Sequence, residues 1–234
     1  MVENASEYIS TDITGLSSQL QARAGDVKII LITQNMESLA QKRPIFHSEA
    51  DFQFSLAWEI KSQYPKYEVR LERPIKGKQA HLDILVIGEN EQIAIELKYK
   101  TRKLNVECGG EQFILLSHGA QDLGRYDVLK DVQRIEEYVS SNQSQKGYTI
   151  FLTNDSAYWK PSPKADPIYK SFQFLQDETV GGTLLWGKSA GKGTIKRREA
   201  AIKLHGIYRV NWQDYSKISN DLYGAFRYVC FYTQ

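Results

Sequence analysis

Two strand-like runs joined by a short polar turn constrain this chain more than any other part of its sequence. Ala80–Ile87 is nearly all apolar, interrupted only by His81 and Asp83. Gln92–Lys100 alternates: Ile93, Ile95, Leu97 and Tyr99 share one face, and Ala94, Glu96, Lys98 and Lys100 share the other. Gly88-Glu89-Asn90-Glu91 lies between the runs and reads as a hairpin connection. If Glu89-Asn90 is a two-residue loop, Gly88 faces Glu91, and counting outward sets Asp83 opposite Glu96 and His81 opposite Lys98. A four-residue loop keeps that register. An odd loop would send Asp83 and Glu96 to opposite faces.

The register has a chemical consequence. Directly opposed side chains have Cβ atoms about 4.5–5.5 Å apart. Two carboxylates held that close in an apolar sheet stay ionised only if positive charge compensates them. Lys98 follows Glu96 by two residues, on the same face and about 7 Å further along the strand. It supplies one positive charge, and a divalent ion would supply the rest. Mg²⁺ takes one or two carboxylates and keeps several waters, which matches what Asp83 and Glu96 offer.

The flanking sequence reads as alternating helix and strand. Ser48 is a helix N-cap, with Glu49 and Asp51 in the first turn; Phe52, Leu56 and Ile60 make an apolar stripe that ends near Tyr64-Pro65. Tyr67–Arg73 alternates as a strand. A long helix is expected over Gly119–Ser140, with Val128, Val132, Ile135 and Val139 as its seam, and a strand over Gly147–Thr153. Residues 1–45 look mostly helical, with a helix near Asp26–Gln41. Residues 155–200 are rich in Gly, Pro, Ser and Lys and read as loops or an insertion; Ile207–Trp212 and Phe226–Tyr232 read as late strands. The order helix, three strands, helix, strand implies an α/β sandwich around a mixed sheet.

On these residues the chain resembles the PD-(D/E)xK nucleases, the restriction-endonuclease-like superfamily. The matching elements are Glu49 on the first helix, Asp83 on the second strand and Glu96-Leu97-Lys98 on the third. The resemblance runs from Ser48 to Thr153, somewhat under half the chain. Leu82 stands where the name-giving proline would be, as in many members. The following helix has no QxxxY pattern, and its polar residues Asp127, Lys130, Asp131 and Arg134 have no assigned role.

The resemblance implies an αβββαβ core, with residues 1–45 as an N-terminal helical extension and 46–234 as the nuclease-like domain. It implies that Asp83 and Glu96 bind Mg²⁺ or Mn²⁺, with Glu49 completing the site through a water or a second ion. Lys98 would orient the attacking water and stabilise charge on the phosphate. The reaction would be phosphodiester hydrolysis, with DNA the favoured substrate and a homodimer a common working form. His81, opposite Lys98, is expected to be structural.

Charge distribution fits a polyanionic partner. Net charge is +2, but Lys98, Lys100, Arg102 and Lys103 cluster with no acid between them. Lys188, Lys192, Lys196, Arg197, Arg198 and Lys203 form a second basic run against Glu199 alone. Such runs can track a phosphate backbone. No apolar run approaches the ~20 residues that span a bilayer, and the first residues lack a signal-peptide pattern, so a cytoplasmic protein is expected. Cys108 and Cys230 have no metal-ligand spacing and read as free thiols; the four histidines are scattered. Gly182–Ser189 matches a P-loop string, but Thr183-Leu184-Leu185-Trp186 is strand-like and Ala190-Gly191-Lys192-Gly193 is a poor helix start. The alternatives to a nuclease are a non-catalytic nucleic-acid-binding or scaffold protein and, on that string, a nucleotide-binding protein.

Overall fold

A computed structural model of the chain describes residues 32–141 and 145–234. Most of the expected N-terminal extension, and the start of its helix, lie outside the described residues. The described chain begins with helix α1 (Ile32–Lys42), whose Ile32, Met36 and Leu39 are buried, and continues into α2 (Glu49–Gln63). The Ser48 hydroxyl accepts the Asp51 N–H at 3.1 Å, and Glu49 and Asp51 oppose the positive end of the helix. Phe52, Leu56 and Ile60 are fully buried, as their spacing requires.

Three antiparallel strands come next: β1 (Glu68–Pro74), β2 (His81–Ile87) and β3 (Gln92–Lys100). The Gly88 N–H donates to the Glu91 carbonyl at 2.9 Å, and Ile84 pairs with Ile95, Leu85 with Ala94, and Val86 with Ile93. This is the register of a two-residue loop, so Asp83 and Glu96 share a face. Helix α3 (Gln121–Ser140) then carries the chain to β6 (Gln145–Thr153), which pairs with β3 in parallel along its whole length. The sheet is completed by β10 (Ala225–Thr233), antiparallel to β6, and by β9 (Trp212–Lys217) at the edge, giving the order β1-β2-β3-β6-β10-β9. The architecture is a mixed α/β fold whose sheet is mostly antiparallel and flanked by helices.

The two faces of β3 meet different layers. Tyr99 packs among Phe46, Phe52 and Phe226 on the α2 side. Ala94 packs with Ile135 and Val139 of α3. Strand alternation therefore turns Glu96 and Lys98 toward α3.

Three parts differ from the expectation. Ile207–Trp212 is not one strand: β8 (Ile202–Arg209) pairs with β7 (Thr179–Leu184), and β9 starts only at Trp212. The break comes at Val210, whose N–H and carbonyl both turn to residues 177–178; apolar patterning runs on through it because Tyr208, Val210 and Trp212 are all buried although the strand between them is broken. A second hairpin, β4 (Leu104–Cys108) with β5 (Glu111–Leu115), follows the basic stretch that ends at Lys103. Its loop residues Gly109 and Gly110 both have positive φ (62° and 79°), the conformation of a tight I′ turn that glycine adopts without strain. Residues 155–200 hold β7 and two short 3₁₀ turns, and they anchor Tyr158, Phe172 and Phe174 in the core against Phe151, Trp186 and Trp212. Gly182–Leu184 of the P-loop string lies in β7, and no helix comes after Ser189. Cys108 and Cys230 are free thiols. Among the described residues no helix is long and apolar enough to cross a membrane.

Candidate active site

The site forms where β2 peels away from β3. The hairpin's hydrogen-bonded pairs alternate from Gly88/Glu91, so the Leu97 N–H is due to reach β2 backbone at Leu82. It donates instead to the Asp83 carboxylate, at 2.6 Å. One step further, the Tyr99 N–H donates to Glu49 Oε2 at 2.8 Å. Two carboxylates thus replace a departed strand, and each is fixed by β3 backbone. Gln53 of α2 supports the opening by donating to the Asp83 carbonyl and to Glu72, each at 2.7 Å.

The α3 side supplies the counter-charges. Lys98 Nζ lies 3.1 Å from Asp131 Oδ2 and 3.9 Å from Glu49 Oε1. Arg134 bridges two acids, at 2.9 Å from Glu96 and 2.6 Å from Asp131. Glu96 is 1% exposed and Asp131 2%. Four carboxylates (Glu49, Asp83, Glu96, Asp131) therefore surround two cations (Lys98, Arg134), leaving two negative charges uncompensated if all ionise.

That excess appears in the acidities. Burial, then the neighbouring Asp131 and Asp83, push Glu96 up to about 9 despite Arg134. Burial also raises Asp83, to about 6, against the pull of the Leu97 N–H and Lys98. Asp131 is raised by burial although Lys98 and Arg134 oppose it. For Lys98 burial works toward a lower value, but Asp131 and Glu49 outweigh it and the ammonium is held above the ordinary lysine range. The cluster thus holds protons that a cation of higher charge would displace.

Among the described residues no three His, Cys, Asp or Glu side chains are grouped closely enough to hold a metal ion by themselves. The donor set still fits Mg²⁺ or Mn²⁺, since two carboxylates plus waters suffice and the charge deficit is that of one divalent ion. Asp83 and Glu96 would hold it, with Glu49 beside them.

The other expected residues fall into groups. His81 is exposed at the start of β2, paired with Pro74. Lys100, Arg102 and Lys103 continue from β3 away from Lys98, and Arg102 lies with its guanidinium 5.2 Å over the Tyr223 ring. Lys188, Lys192, Lys196 and Arg197 are exposed, whereas Arg198 is committed to Asp127 through two hydrogen bonds of 2.6 and 2.8 Å. That pair ties the basic loop to α3 one turn before Asp131. Asp131 and Arg134 themselves carried no assigned role in the sequence. The signal was present: Asp131 falls on the apolar seam, between Val128 and Ile135, where a lone acid needs a buried partner.

Comparison with known protein families, with curated proteins and with solved structures gives no match to this chain.

Proposed function

We propose that the chain is a divalent-metal-dependent nuclease that hydrolyses phosphodiester bonds, with DNA the favoured substrate. The reading is carried by one observation: Asp83 and Glu96 share a face of neighbouring strands beside Lys98, in a cluster two positive charges short. It is supported by the order α2-β1-β2-β3, then, past the inserted hairpin β4-β5, α3-β6, which resembles the order of a restriction-endonuclease-like core.

Asp83 and Glu96 would hold the ion, with Glu49 beside them at the amino end of α2. The bound ion would supply a Lewis acid for the phosphate and a more acidic water. Lys98 stays protonated and therefore acts by charge: it positions the water and stabilises negative charge building on the phosphate. Asp131 and Arg134 fix Lys98 and Glu96 from the side. The exposed lysines of the 188–197 loop, tethered through Arg198, supply backbone contacts near the cluster.

Cleavage of a substrate panel (single-stranded, duplex and branched DNA, and RNA) is expected with Mg²⁺ or Mn²⁺ and not in excess chelator. Asp83→Ala abolishes it and weakens Mn²⁺ binding; full activity in that variant or in chelator overturns the proposal. The Arg134–Glu96 ion pair favours a second reading, a nucleic-acid-binding protein without turnover. DNA binding without cleavage at any metal concentration selects it.

A further inference from the structure

A cavity of about 460 Å³ opens where the carboxyl ends of the parallel strands β3 and β6 meet the amino end of α3. Such junctions collect anions, because helix N–H groups point into them. Here α3, a 20-residue helix, starts from Ala120 in the left-handed conformation (φ 57°), with no side chain capping it. One turn in lies Arg125, only 1% exposed. Its Nη1 donates to the Tyr158 carbonyl at 3.0 Å and its Nη2 to the Ala157 carbonyl, but its buried Nε has no partner. Across the cavity wall the buried Nε of Arg102 also lacks a partner.

Among the described residues neither arginine forms an ion pair with a carboxylate. The two acids of the wall act on Arg125 through space and accept hydrogen bonds from local donors. Asp155 accepts the Ala157 N–H at 3.1 Å and Gln121 Nε2 at 2.9 Å; Asp122 accepts the Leu123 N–H at 2.9 Å. Burial without such a partner lowers Arg125 below the ordinary arginine range. A buried donor without an acceptor is costly, and both arginines line this one cavity. The rings of Tyr169 and Tyr223, which lie 5.2 Å from the Arg125 and Arg102 guanidinium carbons, complete the wall.

We propose that this cavity is a phosphate subsite, in which Arg102, Arg125 and the amino end of α3 hold a phosphate group carried by a nucleotide or strand. The phosphate chemistry stands on the cavity; its assignment to a nucleic-acid strand rests on the nuclease reading. Arg125 precedes Asp131 by six residues, about 9 Å along the helix, so a strand crossing the carboxylate cluster brings another of its phosphates here.

The test is equilibrium binding of a labelled short oligonucleotide to the full chain in chelator, where no turnover occurs. Binding is expected to be competed by inorganic phosphate. Arg102→Gln should raise Kd about tenfold and abolish that competition, with Arg102→Lys intermediate. Arg125→Lys, verified as folded by its melting curve, should do the same. A requirement for a 5′-phosphorylated oligonucleotide identifies the group as a monoester; equal binding without it identifies a backbone diester. Unchanged binding and phosphate competition in folded Arg102→Gln overturns the subsite, even if the protein cleaves DNA. Loss of binding in that variant, in a protein that never cleaves, keeps the subsite and sinks the nuclease reading instead.

Discussion

Lys98 decides how the proposed chemistry runs. An amine acts as a base only once it has lost its proton, and Asp131 at 3.1 Å together with Glu49 at 3.9 Å makes that loss harder. Lys98 is therefore a fixed positive charge throughout the neutral range, and the proton of the attacking water must leave by another route. Removing a preorganised charge of this kind typically costs roughly 10²–10³ in rate. Lys98→Ala should lower kcat by about that factor without moving the alkaline midpoint of the pH–rate profile, while the acid midpoint rises because Asp83 loses the pull of Lys98. A shifted alkaline midpoint in that variant would show that Lys98 itself titrates in the reaction. Asp131→Asn removes the nearest acid to Lys98 and one negative charge from the cluster, so Mn²⁺ binding to this variant should weaken by about tenfold, measured by calorimetry. Unchanged affinity would mean that Asp131 contributes nothing to the charge that attracts the ion.

Helix α3 links the cluster to the basic loop. Asp127, Asp131 and Arg134 recur on one side of it; the first holds Arg198, and the other two hold the side chains of β3. Arg197 and Arg198 are adjacent in sequence yet do different work. Arg198→Ala breaks a two-pronged, partly exposed pair and should cost about 1 kcal/mol in chemical denaturation. Arg197→Ala should leave stability unchanged and reduce the slope of log K against log salt for DNA by about one; a flat response would place Arg197 outside the interface. Sequence alone does not separate them, because both read as members of one charged run. The hairpin was legible because parity and the Glu89-Asn90 turn fix its register locally. So was α2, from Ser48 and the Phe52–Leu56–Ile60 stripe. The features that escaped depended on distant chain: the split of Ile207–Trp212 at Val210 is set by residues 177–178, and the burial of Phe172 and Phe174 by Trp186 and Trp212. Arg134 was visible as a polar residue of α3, but only the crossover to β6 brings it onto Glu96.

At the scale of the whole molecule, the cluster makes folding depend on pH, and the proposed metal would couple to the same groups. Glu96 at about 9 and Asp83 at about 6 lie above the values of about 4 that carboxyls have in an unfolded chain. Between those limits the native state binds more protons than the unfolded state, so unfolding free energy falls as pH rises. The contribution of these protonated groups is fully present near pH 4 and declines as pH rises above it; the Asp83 share is lost by about pH 6 and the Glu96 share by about pH 9. Other groups shape the rest of the curve, so the diagnostic is a difference between proteins. In chelator, Glu96→Gln keeps the hydrogen-bonding shape without the charge and should flatten the decline in melting temperature between pH 6 and 9. At the alkaline end it should melt a few degrees above the parent, at ~2–4 °C per kcal/mol for a chain of this size. Mg²⁺ or Mn²⁺ should reverse the order. On the proposed function the ion would bind the ionised pair, so it should stabilise the parent increasingly as pH rises and the variant hardly at all. Melting curves at three pH values, with and without metal, measure both effects. Parallel pH profiles for parent and variant in chelator would show that Glu96 does not hold its proton in the native state, and metal binding would then displace no proton from it.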